Sequence, residues 1–281
     1  MSGGPAPRRG GRARFAAGGA AAGAAAAGTV AAALLAAGCF SLRPPEAPMP
    51  TVTLAEAPAE GRCLVLLLPG RGDAPDDFAA AGFAEIARNQ GIEAEVVALD
   101  SHMGYFRDRS LLERLEADVI APARRRGFDE IWWVGISLGG LASLLVLDEH
   151  PEAVDGVVLL APFLGQGPAV EALVAAGDLD AWRPDPELPA GPDGLWRRLW
   201  RVLQAETADP RDGPPLFLGF GDRDRYRDTH RVLAGELPPE RVHVVPGGHD
   251  WTTWSLLWTE MTANGLPICQ GVGGPERLAE H

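Results

Sequence analysis

The sequence predicts an α/β protein in which a mostly parallel sheet is covered by helices on both faces. Short apolar runs rich in β-branched and aromatic residues alternate with longer segments whose apolar residues recur at helical spacing. Two of the runs, Cys63–Leu68 and Ile131–Ile136, are almost continuously apolar, which is typical of strands buried on both faces of a parallel sheet. A chain of 281 residues is long enough to build one large domain of this class.

The first half of the alternation contains three strands and two helices. Thr51 begins a short edge strand, and the apolar run at residues 63–68 is the first central strand. A helix is expected at residues 75–91, where apolar side chains recur after a Pro-Asp-Asp-Phe start. Residues 92–99 form the next predicted strand. A helix with apolar residues on one face follows at residues 110–126.

The second half repeats the pattern with one interruption. The strand at 131–136 leads into a buried helix that ends near His150. Residues 163–212 interrupt the alternation, because a segment rich in proline, glycine and aspartate separates two pieces of helical spacing. We interpret this interruption as a small helical cap inserted into the domain. The remaining strands are expected at 154–162, 215–220 and 242–245, and the remaining helices at 226–237 and 251–262.

The N-terminal 38 residues resemble an export signal rather than part of the fold. Four arginines between positions 8 and 14 precede an uncharged run rich in alanine and glycine. The run ends in Leu-Ala-Ala-Gly-Cys39, which is similar to the bacterial lipobox, in which the cysteine is lipidated. An uncleaved membrane anchor is the alternative. Either route predicts an exported protein tethered to the membrane, with residues 39–50 as a proline-rich tether and residues 51–281 as the folded domain.

Charge and composition exclude several classes of function. The net charge of −13 argues against nucleic acid as a partner. The chain contains no lysine, so Ser-Lys dyads and Schiff-base chemistry are excluded. No cysteine and histidine residues have the spacing of metal ligands, and neither a metal nor a cofactor is expected. Apart from Cys39, the cysteines are Cys63 and Cys269, which could pair in an oxidising compartment or remain buried thiols.

The sequence between the strand at 131–136 and the helix that follows is Gly135-Ile-Ser137-Leu-Gly139. The pattern Gly-x-Ser-x-Gly is common by chance, but its position between a strand and a helix is typical of a nucleophile elbow. In such an elbow the backbone at the serine is strained, and glycines on both sides allow the strand and helix to approach closely. Ser137 is therefore the candidate nucleophile.

A serine nucleophile requires a base and a carboxylate that orients the base. Among six histidines, His249 alone lies in a glycine-rich loop directly after a predicted strand. The loop after the preceding strand contains two aspartates. Asp224 is the favoured acid, because the residues after it resemble a turn into the next helix, and Asp222 is the alternative.

The order Ser137, aspartate, His249 along alternating strands and helices resembles the α/β-hydrolase superfamily, in particular its serine esterase and lipase-like branches. The resemblance covers roughly residues 60–265. It implies an α/β-hydrolase fold and an oxyanion hole built from two backbone N–H groups, those of Leu138 and Arg71. Pro69-Gly-Arg71-Gly resembles the family's His-Gly-x-Gly turn, with proline in place of histidine. The Arg71 side chain could pair with Asp73 or Asp77, or contact an anionic substrate.

The resemblance implies a serine hydrolase that cleaves a carboxylic ester of a small molecule or lipid through an acyl-enzyme. A peptidase or an acyltransferase would use the same three residues. A non-catalytic binding lipoprotein on the same fold is the alternative from another class, and loss of one of the three residues would be its signature. All three positions are filled in this chain. The identity of the acyl group is not encoded in the motif, because the fold specifies a reaction type and not a ligand.

Overall fold

The computed structural model describes residue 1 and residues 43–56, 62–179, 182, 192–209 and 213–270. Apart from its first residue, the predicted signal lies outside these residues, as does Cys39. None of the helices within the described part of the chain is both long and apolar enough to cross a membrane. The described residues form seven strands in one sheet: β1 Thr51–Ala55, β2 Cys63–Leu68, β3 Glu95–Leu99, β4 Glu130–Ile136, β5 Gly156–Leu160, β6 Leu216–Gly221 and β7 Val242–Val245.

The sheet is mixed, and its strand order is β1-β3-β2-β4-β5-β6-β7. Strand β1 lies at one edge and pairs antiparallel with β3, whereas all other neighbouring pairs are parallel. Every residue of β2, β4, β5 and β6 is buried, which explains why these strands are apolar without alternation. The mostly parallel sheet that the sequence predicts is therefore confirmed.

Helices connect the parallel strands, as right-handed crossovers in such sheets require. Within the described residues they are α1 Pro75–Ala80, α2 Phe83–Asn89, α3 Met103–Asp108, α4 Leu111–Leu115, α5 Ala121–Arg126, α6 Leu138–Glu149, α7 Pro168–Ala176, α8 Pro192–Ala208, α9 Arg227–Glu236 and α10 Trp251–Ala263. A single π-helical turn at Glu116–Ile120 joins α4 to α5.

Several predicted elements have other bounds in the structure, and two of these differences are instructive. The single helix expected at residues 75–91 is divided into α1 and α2, because Gly82 between them adopts a left-handed conformation with φ of 70°. The strand expected at 92–99 begins only at Glu95. In both cases the apolar pattern continues through residues that leave the regular backbone, so periodicity alone did not locate the boundary.

The region predicted as a cap contains α7 and α8, which lie between β5 and β6 in the chain. Trp200 of α8 is buried, and its indole N–H donates a hydrogen bond of 3.0 Å to the carbonyl of Leu164. The backbone N–H of Leu179 donates to the Glu236 side chain at 3.1 Å. These bonds attach the segment to the ends of β5 and α9. Residues 180–181, 183–191 and 210–212 of this region lie outside the described part.

Residues 43–50, part of the predicted tether, pack against the edge of the sheet. Met49 is buried, and its backbone N–H donates to Asp118 at 2.9 Å. The Tyr105 hydroxyl donates to the carbonyl of Glu46 at 3.0 Å, and an ion pair joins Arg43 to Asp100. The segment is thus held by both apolar burial and polar contacts.

Cys63 and Cys269 form a disulfide, which decides between the two alternatives that the sequence left open. Their Cα atoms are 5.5 Å apart, within the range that a disulfide requires. The bond joins the start of β2 to the segment after α10 across a sequence separation of 206 residues. It therefore attaches the C-terminal part of the domain to the centre of the sheet.

Candidate active site

The turn at Ser137 has the geometry of a nucleophile elbow. Ser137 links β4 directly to α6, and its φ of 50° and ψ of −107° are unusual for a residue with a side chain. A Cβ on Gly139 would lie 2.1 Å from the carbonyl oxygen of Leu68, and one on Gly135 would lie 2.4 Å from the Gly139 backbone. Both glycines are therefore required by the close approach of α6 to β2 and β4.

Backbone hydrogen bonds hold the elbow to the neighbouring strand. The N–H of Ser137 donates to the carbonyl of Leu160 at 3.0 Å, and the carbonyl of Ser137 accepts from the N–H of Phe163 at 2.8 Å. Ser137 as a whole is only 6% exposed. The strained backbone is thus held on both sides by β5 and the residues that follow it.

His249 connects Ser137 to Asp224. Its Nε2 lies 2.9 Å from the Ser137 hydroxyl oxygen, and its Nδ1 lies 2.7 Å from Oδ2 of Asp224. A carboxylate can only accept, so Nδ1 carries the proton and donates a hydrogen bond to Asp224. Nε2 of the neutral ring is then an acceptor, and the Ser137 hydroxyl donates to it. This is the arrangement that a serine nucleophile and its general base require.

Asp224 is kept ionised by its hydrogen bonds. Its side chain is fully buried, and burial acts to raise the pKa of the carboxyl group. The His249 ring and the backbone N–H of Tyr226, which donates at 2.7 Å, outweigh that effect and lower the pKa below its ordinary value. The carboxylate is therefore charged at neutral pH, and it holds the imidazole by accepting the hydrogen bond from Nδ1.

Asp222, the alternative acid in the sequence, makes a different contact. Its side chain is 49% exposed, and its Oδ1 accepts a hydrogen bond of 3.0 Å from the backbone N–H of Gly247. Asp222 thus links the loop after β6 to the loop that carries His249, without contacting the imidazole. The structure places Asp224, and not Asp222, beside the histidine.

Comparison with known proteins identifies one family model and a set of similar structures. The family model, described as alpha/beta hydrolase fold, matches residues 64–186, which include β2 and the elbow but not Asp224 or His249. No curated protein matches the chain. Similar solved structures include a ferulic acid esterase (14% identity, TM-score 0.49), which aligns over 76% of this chain and 96% of its own.

Two further structures are comparably similar. One is an S-formylglutathione hydrolase from Staphylococcus aureus, with 13% identity and a TM-score of 0.49 over 78% of this chain and 96% of its own. The other is a hydrolase from Pseudomonas aeruginosa, with 19% identity and a TM-score of 0.49 over 79% and 94%. The sheet order, the elbow after β4 and the matching family model decide the fold class. The chain has the α/β-hydrolase fold.

In an α/β-hydrolase fold the two predicted oxyanion-hole residues should face the nucleophile. Leu138 is the first residue of α6, so its N–H has no acceptor within the helix. Gly70, next to Arg71, approaches the elbow so closely that a Cβ on it would lie 3.5 Å from Cβ of Ser137. The turn after β2 and the N-terminus of α6 therefore meet at Ser137.

Among the described residues, the Arg71 guanidinium makes no ion pair with Asp73 or Asp77, the two partners considered from the sequence. Arg71 is exposed, whereas Asp73 is half-buried and accepts a hydrogen bond from the indole of Trp251 at 3.1 Å. Burial, with the nearby charge of Asp77, raises the pKa of Asp73, although the bond from Trp251 opposes this. Asp73 is therefore held by a hydrogen bond to Trp251, and Asp77 accepts one from the backbone N–H of Ala74 at 2.8 Å.

Aromatic side chains surround the imidazole. Tyr226 and Trp254 each meet the His249 ring edge to face, with ring centroids 5.1 and 5.2 Å apart respectively. Phe163 lies between Tyr226, at 5.2 Å, and Trp196, at 5.4 Å. No local pattern in the sequence marks Phe163 or Tyr226, because their contacts join separate loops.

His230 is a buried neighbour of the site that the sequence placed simply within a helix. Its side chain is fully buried, and its Nε2 lies 2.8 Å from the carbonyl of Pro162, to which the N–H donates. Burial lowers the pKa of His230 to about 4. A neutral His230 therefore joins α9, which follows Asp224, to the turn after β5, which contacts Ser137.

The described residues contain no group of three or more histidine, cysteine, aspartate or glutamate side chains that could hold a metal ion. The polar groups that meet at Ser137 are a hydroxyl, an imidazole and a carboxylate in series. Such a series can transfer a proton away from the hydroxyl and back again. A series of this kind is suited to activating a hydroxyl group as a nucleophile.

Proposed function

We propose that the protein is a serine hydrolase that cleaves a carboxylic ester through a covalent acyl-enzyme. The observation that carries the proposal is the series of short contacts from Ser137 through His249 to Asp224, at 2.9 and 2.7 Å. An inert protein with this fold would have no need to bury a carboxylate beside an imidazole, because burial of a charge is costly. Activation of Ser137 accounts for that arrangement.

In the proposed mechanism, His249 removes the proton from Ser137 as the hydroxyl oxygen attacks the ester carbonyl. The backbone N–H groups of Leu138 and Arg71 donate to the oxyanion of the tetrahedral intermediate. The imidazolium, stabilised by Asp224, then protonates the departing alcohol. Water, deprotonated by the same imidazole, attacks the acyl-enzyme, and the second tetrahedral intermediate collapses to release the acid and restore Ser137.

The surroundings of the site support an apolar acyl group. Phe163 is attached to the elbow by its backbone bond to Ser137, and its ring contacts Trp196 and Tyr226. An apolar wall of this kind stabilises carbon chains and rings by removing their surface from water. We infer that α7 and α8, which include Trp196, form the cap over this wall.

A fluorophosphonate probe tests the proposal directly, because it phosphonylates only an activated serine. We expect labelling of the purified wild type and none of Ser137→Ala. Ser143→Ala is the matched control, since Ser143 lies in α6, directly after the elbow, but its hydroxyl donates to the carbonyl of Gly139 at 3.0 Å. Failure of the wild type to react, or equal labelling of Ser137→Ala, would contradict the proposal.

The acyl and leaving groups are tested with p-nitrophenyl esters of increasing chain length and the matching p-nitroanilides. An ester hydrolase should cleave the esters by a route that Ser137→Ala abolishes, with little cleavage of the anilides. Hydrolysis of the anilides at comparable kcat/KM would instead identify a peptidase. Partition of the acyl group to added alcohol in preference to water would identify an acyltransferase.

We also propose that the protein is exported and anchored to the membrane by lipidation of Cys39, with residues 1–38 as the signal. The disulfide between Cys63 and Cys269 supports this location, because such bonds persist in oxidising compartments. In a bacterial host, wild-type protein should incorporate labelled palmitate and sediment with membranes. Cys39→Ser should do neither. Incorporation of label into Cys39→Ser would refute lipidation at this residue.

A further inference from the structure

Asp73 has two hydrogen bonds that tie together different parts of the site. Its backbone N–H donates to the carbonyl of Gly70 at 3.3 Å, which closes a turn over Arg71 and Gly72. Its Oδ1 accepts a hydrogen bond of 3.1 Å from the indole N–H of Trp251. The two residues are 178 positions apart in the chain, so this bond spans the domain.

Trp251, the donor of this hydrogen bond, is held firmly by its neighbours. It is the first residue of α10 and follows His249 by two positions. Its ring meets those of Phe78 at 5.3 Å and Trp254 at 5.4 Å in edge-to-face contacts. Trp254 in turn packs edge to face on His249 at 5.2 Å. The Trp251 indole is therefore fixed relative to the imidazole by contacts within its own helix and with α1.

Asp73 also lies against the side of the turn that faces the nucleophile. A Cβ on Gly70 would lie 2.5 Å from Oδ2 of Asp73 and 3.5 Å from Cβ of Ser137. The carboxylate thus occupies the space beside Gly70 and supports the backbone from which the Arg71 N–H extends. A negative charge here opposes a developing oxyanion, so electrostatics alone do not account for an aspartate at this position.

We propose that Asp73 is a positioning residue that fixes the turn carrying the Arg71 N–H relative to His249, by means of its hydrogen bond to Trp251. The inference rests on the proposed function, because it assigns Arg71 to the oxyanion hole. Donors that are displaced by even a fraction of an ångström lose much of their effect on the transition state, whereas substrate binding changes little. The role of Asp73 is geometric, and the acceptor oxygen matters more than the charge.

Steady-state kinetics of four variants test this assignment with a p-nitrophenyl ester. Asp73→Ala and Trp251→Phe each remove the hydrogen bond, and each should lower kcat by about 10-fold with KM changed less than about twofold. The double variant should lose little more than either single variant, because both remove one interaction. Asp73→Asn retains an acceptor oxygen and should keep kcat within about threefold of the wild type.

Asp76→Ala is the control for loss of a carboxylate near α1, since Asp76 is exposed, and its kcat should match the wild type. Thermal melting establishes that each variant is folded, and the two Asp73 variants decide the outcome if Trp251→Phe is unstable. The inference is overturned if Asp73→Ala has wild-type kcat, if Asp73→Asn is as impaired as Asp73→Ala, or if the two losses add in the double variant. Failure of the proposed function looks different, because the wild type itself would then show no hydrolysis beyond that of Ser137→Ala.

Discussion

The Nδ1–H group of His249 donates a hydrogen bond of 2.7 Å to Oδ2 of Asp224, a carboxylate with no exposed surface. The two residues follow the adjacent parallel strands β6 and β7, so their loops emerge at the same side of the sheet, where the strands have their C-terminal ends. Ser137 follows β4 on that side. The carboxylate orients the imidazole, and the imidazole meets the hydroxyl at 2.9 Å.

Asp224→Asn should lower kcat by about 10⁴-fold, because an amide can donate to Nδ1 and thereby stabilise the tautomer whose Nε2 carries the proton. Such an imidazole cannot accept the Ser137 proton. Asp222→Asn is the matched control, since Asp222 accepts a hydrogen bond from the backbone N–H of Gly247, and an amide oxygen can still accept that bond. The kcat for hydrolysis of an ester is measured for both variants. Comparable losses in the two variants would contradict the assignment of Asp224.

Gly139→Ala should destabilise the protein by about 3 kcal/mol or more, because its new Cβ would lie 2.1 Å from the backbone oxygen of Leu68. Gly235→Ala is the control in another helix. Nothing lies within 4 Å of a Cβ at that position, so alanine should leave the free energy of unfolding unchanged or raise it by about 0.5–1 kcal/mol. Urea unfolding compares the two. A Gly139→Ala protein as stable as the wild type would show that α6 can move away from β2.

Protonation of His230 should make the fold sensitive to mild acid. The pKa is about 4 in the folded protein, against an ordinary value of 6.5. Between these values the unfolded chain binds the proton and the folded protein does not. The free energy of unfolding therefore falls as the pH is lowered from 6.5 to 4, by roughly 3 kcal/mol from this residue. At pH values well above 6.5 the residue is neutral in both states, so it does not make the free energy of unfolding depend on pH.

His230→Gln keeps a donor for the carbonyl of Pro162 but cannot titrate. Its free energy of unfolding, measured in urea at a series of pH values, should therefore fall less than that of the wild type between pH 6.5 and about 4. Asp224 affects stability at lower pH, because its pKa is lowered in the folded protein. Its contribution to the free energy of unfolding is lost only as the pH falls below about 4. Identical pH profiles for the two proteins would exclude a buried neutral His230.

Removal of the disulfide by Cys63→Ser with Cys269→Ser should lower the free energy of unfolding by about 2 to 5 kcal/mol, because the bond closes a very long loop in the unfolded chain. Neither cysteine contacts Ser137, His249 or Asp224, so kcat at a temperature well below melting should change less than about twofold. Melting of the wild type with and without reductant provides the second measurement. An unchanged melting temperature in both tests would show that the two thiols are not linked.

Local patterns identified much of this architecture. The buried strands and the glycines around Ser137 follow from steric rules that act within a few residues, so they can be predicted from the sequence. His249 could also be predicted, because a histidine in a glycine-rich loop after a strand is unusual. The division of one expected helix into α1 and α2 could not be predicted from the sequence, because glycine is tolerated inside a helix. Only the left-handed conformation of Gly82 separates α1 from α2.

The sequence by itself determined the fold class, the nucleophile elbow and the order in which the candidate residues occur. Only the tertiary structure decided that Asp224 rather than Asp222 meets His249, that Cys63 pairs with Cys269, and that Asp73 bonds to Trp251. These contacts join residues from 25 to 206 positions apart. They depend on which strands are neighbours and how each loop turns, and neither is encoded in the periodicity of a single segment.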